Sequence, residues 1–579
     1  MSEATKQLEY WLNDDYFDQE TKDELLAIRN NEAEVEDRFY KELEFGTGGL
    51  RGVIGAGTNR MNKYTVRKAT QGLANYIRKH GGPDAAKKGV AISYDCRRFS
   101  PEFADETALC LAANGIKAYV SDILRPTPEL SFALREFGCI AGVMVTASHN
   151  PPEYNGYKVY WEDGAQVTPP HDTGIIDEVV AITDYHNVKT MSKEDAIAQG
   201  LYVTFGKEID DKYMEELKKQ IIHQDVIDEM ADQFTIVYTP FHGTGNLPVR
   251  RILKELGFKH VYVVPEQEEP DPDFTTLEYP NPEDPKAFEL ALKLAKEKDA
   301  DIVLATDPDA DRLGIYAKDT ATGEYVPFTG NMSGMLIGDY ILREREATGT
   351  MPENPEFVTT IVTTNMARAV AEYYGLSYKE VLTGFKYIGE QIKLFEEGEE
   401  ELNYVFGLEE SYGCLAGTHA RDKDAVVAVM MLCELAAYYK KQGETVWDAM
   451  IDMYNKFGYY REGQYSITMK GKEGAEQIAA LMDKLRNNPP KAIGSWNVLE
   501  FRDYKTHKVV DMKTGEESDT GLPTSNVLYF ELDNDAWCCA RPSGTEPKIK
   551  FYMGVKGENL EDSQKLLDEL TAAVKAMIE

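Results

Sequence analysis

At 579 residues the chain exceeds a single hydrophobic core, and typical domain sizes predict roughly three to five domains. Its composition, 42% hydrophobic and 28% charged, excludes a fibrous or disordered protein. A net charge of -36 excludes nucleic acid and anionic membranes as general partners, and it confines any anionic ligand to a local basic pocket.

The first forty or so residues are acidic and helix-forming. Thr21-Lys22-Asp23-Glu24 has the capping-box pattern ahead of Leu25 and Leu26 and predicts a helix start there. Met1-Ser2-Glu3-Ala4 lacks the basic-then-apolar pattern of a signal peptide. Gly46-Thr47-Gly48-Gly49-Leu50-Arg51-Gly52 predicts a flexible loop with one arginine, and it lacks the G-x-G-x-x-G spacing of a dinucleotide site. Strand-like runs at 90–94, 118–120 and 140–145 enclose a helical segment at 101–114, the β-α-β rhythm of a largely parallel sheet.

The run 140–145 is almost wholly apolar, as in a strand buried on both faces. Thr146-Ala147-Ser148-His149-Asn150-Pro151-Pro152 follows it, with Lys158 ten residues after the serine. The two prolines block a following helix, so Ser148 is held outside regular structure with proton-transfer partners near in sequence. His149 is either a proton shuttle or a hydrogen-bonded support for the loop. The absence of G-x-S-x-G speaks against a serine hydrolase, and the absence of H-E-x-x-H against a zinc enzyme.

The rhythm restarts with strands at 234–238, 260–264 and 301–305, and an acidic, proline-rich loop spans 266–285. Asp307-Pro308-Asp309-Ala310-Asp311-Arg312 places carboxylates at i, i+2 and i+4, either a hard-cation site or a solvated acidic turn. A calcium hand is a poor fit, with Arg312 at the sixth position and Lys318 at the twelfth.

A third block begins near Phe328, with strands at 357–362 and 403–406. Thr383-Gly384-Phe385-Lys386 offers a pocket lysine or a solvated one. Gly407-Leu408-Glu409-Glu410-Ser411-Tyr412-Gly413 offers sugar-hydroxyl acceptors or an ordinary surface turn. The apolar stretch 425–439, interrupted by Glu434, is too short to span a bilayer and predicts a buried helix. A fourth block starts near Lys456, with strands at 527–532 and 536–540. It ends in Arg541-Pro542-Ser543-Gly544-Thr545-Glu546-Pro547-Lys548, a phosphate grip or a polar turn; a forked guanidinium, hydroxyls and a glycine turn suit phosphate oxygens. Seven cysteines without C-x-x-C predict reduced, mostly buried thiols and a cytoplasmic protein.

The expected fold class is α/β: three similar mixed α/β domains and a smaller α+β C-terminal domain. Four polar loops, each at an inferred strand end, suggest four domains around a central cleft. The expected bounds are 1–210, 211–325, 326–455 and 456–579.

Together the serine, aspartate, Glu-Glu-Ser and arginine loops resemble the four signature loops of the α-D-phosphohexomutase superfamily, in family order and across almost the whole chain. Length and the Arg421-Asp422-Lys423-Asp424 segment resemble its long bacterial branch. The resemblance implies a resting phosphoserine at Ser148 and Mg²⁺ held by Asp307, Asp309, Asp311 and the seryl phosphate. It implies Glu409 and Ser411 on sugar hydroxyls, and Arg541, Ser543, Gly544 and Thr545 on the non-reacting phosphate. Arg51 and Arg312 line the site, and Lys158, His149 and Lys386 handle protons. The implied partners are small sugar phosphates, with interconversion of glucose 1-phosphate and glucose 6-phosphate through glucose 1,6-bisphosphate. Mannose or pentose phosphates are the alternatives within the class, and a phosphoserine-dependent phosphatase or a non-catalytic sugar-phosphate sensor outside it. Pentose-preferring relatives tend to carry alanine where this chain has Ser411, which tilts the expectation toward a hexose. Pro308 and Ala310 stand where many relatives carry glycine. For proton transfer at neutral pH, the expectation is that neighbouring cations depress Lys158 or its partner.

Overall fold

The protein is described by a computed structural model, which covers residues 2–46, 48–398, 400–469, 471–543 and 548–578. Its contacts divide into two compact units. Unit 1 comprises 1–327 with 389–399 and 413–443; unit 2 comprises 328–388, 400–412 and 444–579.

Unit 1 holds two mixed sheets. The first runs in the order Gly49–Val53, Tyr154–Trp161, Ala141–Val145, Val90–Tyr94, Ala118–Ser121, Tyr202–Phe205. Its last four strands are parallel, whereas Tyr154–Trp161 is antiparallel to both of its neighbours. Ala141–Val145 is buried at every position, as its unbroken apolar run requires. The helix between the first two parallel strands is Ser100–Ala113. The second sheet places Ile302–Thr306 between antiparallel Leu313–Lys318 and parallel Thr235–Thr239, which in turn pairs with His260–Val263.

Three N-terminal helices, Glu3–Asn13, Gln19–Ile28 and Glu32–Phe39, seal an aromatic cluster in which Trp11 stacks on Phe17 and meets Phe39, Tyr64 and Tyr185 edge-on. The second of these helices starts three residues before the predicted point. Asp18 is its N-cap and accepts the Thr21 amide at 2.9 Å, so Thr21 lies inside the helix. Asp caps as well as Thr does, and the earlier candidate wins. Arg51 does not lie on a flexible loop either: Gly49–Val53 is an edge strand, with Arg51 opposite Gly156.

The apolar run near the end of the third block forms the helix Ala425–Lys441 in unit 1, capped by Asp424, whose side chain accepts the amides of Val426 and Val427. Glu434, its one charge amid the apolar run, is buried and accepts the amides of Ile222 and His223. Among the described residues no helix is long and apolar enough to cross a membrane.

In unit 2 the strand Pro355–Thr360 lies parallel to both Ser377–Val381 and Asn403–Glu409. The C-terminal region builds an antiparallel sheet around Leu528–Leu532, Trp537–Pro542 and Lys548–Gly557. One face packs Cys538, Phe530 and Phe551 against Met482 and Leu570 of two covering helices. The other packs Cys539, Tyr529, Trp537 and Tyr552 against Ile361 and Leu382. Adjacent strand residues point to opposite faces, which separates the two neighbouring thiols. All seven cysteines are free and buried.

Candidate active site

The serine loop begins where Ala141–Val145 ends. Thr146 turns its hydroxyl back to donate to Asp95 Oδ2 at 2.6 Å and to accept the Ser148 amide at 2.8 Å. Ser148 itself has φ +50°, a left-handed conformation that costs a non-glycine residue about 1–2 kcal/mol. The return strand must run close beneath it. A Cβ on Gly156 would lie 2.4 Å from the Thr146 carbonyl oxygen, so only glycine permits this approach.

The aspartate loop begins where Ile302–Thr306 ends. Asp307 Oδ1 accepts the amides of Asp311 and Arg312 at 3.1 and 3.0 Å, and Ala310 turns the chain at φ +51°. Ser148 Oγ donates to Asp307 Oδ2 at 2.8 Å and lies 3.1 Å from His149 Nδ1. Asp309 Oδ2 accepts Thr127 Oγ1 at 2.8 Å and Lys158 Nζ at 2.7 Å. Lys158 lies 3.5 Å from Asp311, and Lys423 lies 3.3 Å from the same carboxylate. Arg312 pairs with Glu283 at 2.8 Å, and the exposed Arg51 donates to Asn150 Oδ1 at 3.2 Å.

Ligand oxygens of Asp307, Asp309 and Asp311 lie within 4.8 Å of one another, and the three residues are 0, 0 and 2% exposed. The Oδ1 atoms of Asp309 and Asp311 are buried with no hydrogen-bond partner among the described residues. Unsatisfied buried carboxylate oxygens are costly, and a hard divalent cation is the ligand that such an all-oxygen set fits.

Unit 2 carries the remaining candidates. Glu409 closes the strand Asn403–Glu409 and accepts Ser411 Oγ at 3.1 Å. Glu410 Oε2 accepts Thr360 Oγ1 at 3.2 Å. Arg541 is not in a loop after the strand but within it, opposite Lys550, because Trp537–Pro542 runs two residues past the predicted end. The Ser543 amide donates to the Lys548 carbonyl at 2.7 Å. Lys386 is buried in the first turn of Phe385–Glu396, with its ammonium 5.0 Å from the centre of the Tyr387 ring, so it is not a solvated lysine. Gly544 and Thr545 lie outside the described residues.

Models of the phosphoglucomutase/phosphomannomutase α/β/α domains I, II and III match residues 42–186, 211–322 and 329–457. A phosphoglucomutase of Staphylococcus epidermidis is 37% identical over 543 residues, 93% of this chain and 95% of the relative. A phosphoglucomutase of Staphylococcus aureus is 35% identical over 568 residues, covering 97% and 98%. The chain belongs to the phosphoglucomutase/phosphomannomutase family. The fold agrees with two solved structures at 19% identity. The Paramecium phosphoglucomutase parafusin in its open form gives a TM-score of 0.67, covering 93% of this chain and 96% of that one. A phosphoglucomutase/phosphomannomutase family protein of Burkholderia thailandensis gives 0.63, covering 93% and 98%.

In this family member the electrostatics of unit 1 follow from burying three carboxylates together. Burial, with repulsion from Asp311 and Asp309, pushes the Asp307 carboxyl well above the usual range. Asp311 is driven down despite burial, by Lys423, Lys158 and Arg312. Of the two groups the expectation allowed, Lys158 is not the depressed one. Burial does pull its ammonium down, but Asp309, Asp311 and Asp422 outweigh that and raise it, so the lysine is held protonated. His149 is pushed well below its ordinary value by burial and by Arg312 and Arg51, which leaves a neutral imidazole against Ser148 Oγ.

Lys423 is a residue that sequence reasoning missed as part of the site. It joins an aspartate loop more than a hundred residues upstream, and no spacing signals that. A local clue exists: a Cβ on Gly413 would lie 2.0 Å from Lys423 Cδ, so the glycine makes room for this side chain. Asp422 completes the group, accepting Tyr160 Oη at 2.8 Å and Lys423 Nζ at 3.3 Å.

Proposed function

We propose that the chain interconverts α-D-glucose 1-phosphate and glucose 6-phosphate, with Ser148 as the phosphoryl carrier and glucose 1,6-bisphosphate as the intermediate. Family membership makes it a phosphosugar mutase, an isomerase working by phosphoryl transfer. The observation that carries the mechanism is the buried Ser148 Oγ, 2.8 Å from Asp307 within the aspartate cluster.

Phospho-Ser148 transfers its phosphoryl group to the free hydroxyl of a sugar monophosphate. The phosphorus–Oγ bond breaks, the phosphorus–sugar oxygen bond forms, and the sugar hydroxyl proton passes by way of the neutral Nδ1 of His149 to the departing Oγ. The bisphosphate then presents its other phosphate, which returns to Oγ and frees the isomeric monophosphate. Storing the group on serine splits one exchange into two in-line displacements. When Oγ attacks in the second step, its proton passes to Nδ1 of His149 and from there to the departing sugar oxygen. Protonated Lys158 and Arg51 balance phosphoryl charge, which is most of what such a transfer needs.

Asp307, Asp309, Asp311 and a seryl phosphate oxygen would hold Mg²⁺. When bound, the ion neutralises charge on the transferring group. In this reading Glu409 and Ser411 take sugar hydroxyls in both orientations of the bisphosphate. Arg541 and Ser543, with Gly544 and Thr545, take the phosphate that is not reacting; Lys386 serves a proton at the sugar.

The test is a coupled assay on glucose, mannose and ribose 1-phosphates with free phosphate measured alongside. The expected result is a kcat/KM for glucose 1-phosphate at least about tenfold above the other two, with isomer formation far outpacing phosphate release. Preference for mannose or ribose phosphate would replace the substrate, and dominant phosphate release would replace the reaction.

A further inference from the structure

The serine loop poses a hydrogen-bonding problem that its own backbone solves only in part, through the Tyr154 amide on the Pro151 carbonyl at 3.1 Å. Pro151 and Pro152 have no amide hydrogens to give, while the carbonyls of Ser148, Asn150, Pro151 and Tyr154 converge on a buried point. One side chain answers all four. Arg97 Nη2 donates to the Ser148 carbonyl at 2.6 Å and to the Asn150 carbonyl; Nη1 donates to those of Pro151 and Tyr154 at 2.8 and 3.0 Å. A planar guanidinium is suited to this because its donors diverge in a fixed fork.

Arg97 is in turn held from below. Asp95 Oδ2 lies 3.4 Å from Arg97 Nε, and Oδ1 accepts the Arg97 amide at 3.0 Å and Ser100 Oγ at 2.8 Å. The same carboxylate takes Thr146 Oγ1, whose oxygen accepts the Ser148 amide. Both residues are 1% exposed, and the Phe274 ring lies across the guanidinium at 5.1 Å. Amide and carbonyl of Ser148 are thus fixed by two arms of one ion pair, and the residue between them sits in a strained left-handed conformation. Such strain persists where the surroundings over-determine it.

We infer that Arg97, set by Asp95, is a positioning residue for phosphoryl transfer: it holds Ser148 Oγ at the aspartate cluster and touches no reacting atom. The inference rests on the reading of Ser148 as the phosphoryl carrier.

Arg97→Lys in the full-length chain keeps the charge but lacks the fork and cannot serve four divergent carbonyls. Its kcat for glucose 1-phosphate is expected to fall about a hundredfold, the scale set by a misplaced reacting group, with KM unchanged within about twofold. Hydrogen exchange of the amides at 147–156 is expected to accelerate about tenfold or more, while the strands 235–239 and 302–306 keep their protection. Asp95→Asn, isosteric and milder, is expected to show the same split with about a tenfold loss of kcat, and it serves if the lysine variant fails to fold. Retention of kcat within about threefold in a folded variant, or a loss that accompanies faster exchange throughout the chain, overturns the assignment. Wild type is run beside both variants. If it turns over no sugar phosphate, the functional reading falls, whereas the exchange of 147–156 judges the clamp separately.

Discussion

The functional loops of the two units are held in contrasting ways. In unit 1, Ser148 has partners on its amide, carbonyl and hydroxyl, and Asp307, Asp309 and Asp311 are buried in the loop that follows the apolar strand Ile302–Thr306. In unit 2, Ser411, Arg541 and Ser543 are only half-buried, and the buried Glu409 accepts Ser411 Oγ from two residues along the chain. The difference matches two tasks. A reacting oxygen needs one geometry, because misplacement by an ångström costs orders of magnitude. In the proposed function, the unit 2 groups grip a bisphosphate presented in two orientations and need acceptors and donors without a single imposed pose.

The strongest way to break this comparison is to attack unit 1. Asp309→Asn removes a carboxylate charge without changing shape, and kcat is expected to fall by about 10²–10³, the usual scale for losing one electrostatic stabiliser. Chelation of divalent ions is expected to abolish turnover in wild type, and added Mg²⁺ to restore it. Full activity in excess chelator, measured by the coupled assay, would remove the aspartate cluster from the chemistry.

Changes in unit 2 should be milder and of another kind. Ser411→Ala is expected to raise KM for glucose 1-phosphate about tenfold with little change in kcat, the cost of about one hydrogen bond. A kcat loss as large as that of Asp309→Asn would erase the distinction between the units.

The smallest effect concerns Glu410. Its carboxyl is pushed up to about 7 by burial and by Glu409, against the pull of Arg541 and the Thr360 hydroxyl. A raised carboxyl favours the protonated fold, so its contribution is present below its ordinary value near 4.5 and is lost as pH rises through about 7. Glu410→Gln removes that loss. The unfolding temperature of the variant relative to wild type is expected to climb between pH 5 and 8, by roughly 2–4 °C for each 1 kcal/mol released. A difference that stays flat across this range would show that Glu410 does not titrate there.

Much of this was legible in the sequence. Apolar runs located the strands Val90–Tyr94, interrupted only by Ser93, and Ala141–Val145, and the polar motifs behind such runs located the serine and aspartate loops. Tertiary pairing was not legible. Gly49–Val53 reads as a loop because its glycines suggest freedom, yet the partner Tyr154–Trp161 recruits it as an edge strand. Lys158 reads as a lysine among cations, but the chain folds three carboxylates against it and reverses the sign of its shift. Lys423 and Arg97 carry no spacing that points to the site, since each takes its place from atoms far along the chain.

The central claim is that Ser148 carries the phosphoryl group, and single-turnover transfer tests it most directly. Purified enzyme is mixed with glucose 1,6-bisphosphate, quenched, weighed intact and mapped by peptide mass. The account predicts the added mass of one phosphate on Ser148, lost again on brief exposure to glucose 1-phosphate, and no such labelling in Ser148→Ala. Phosphate found on another residue, or a Ser148→Ala variant that turns over glucose 1-phosphate at the wild-type rate, would contradict it.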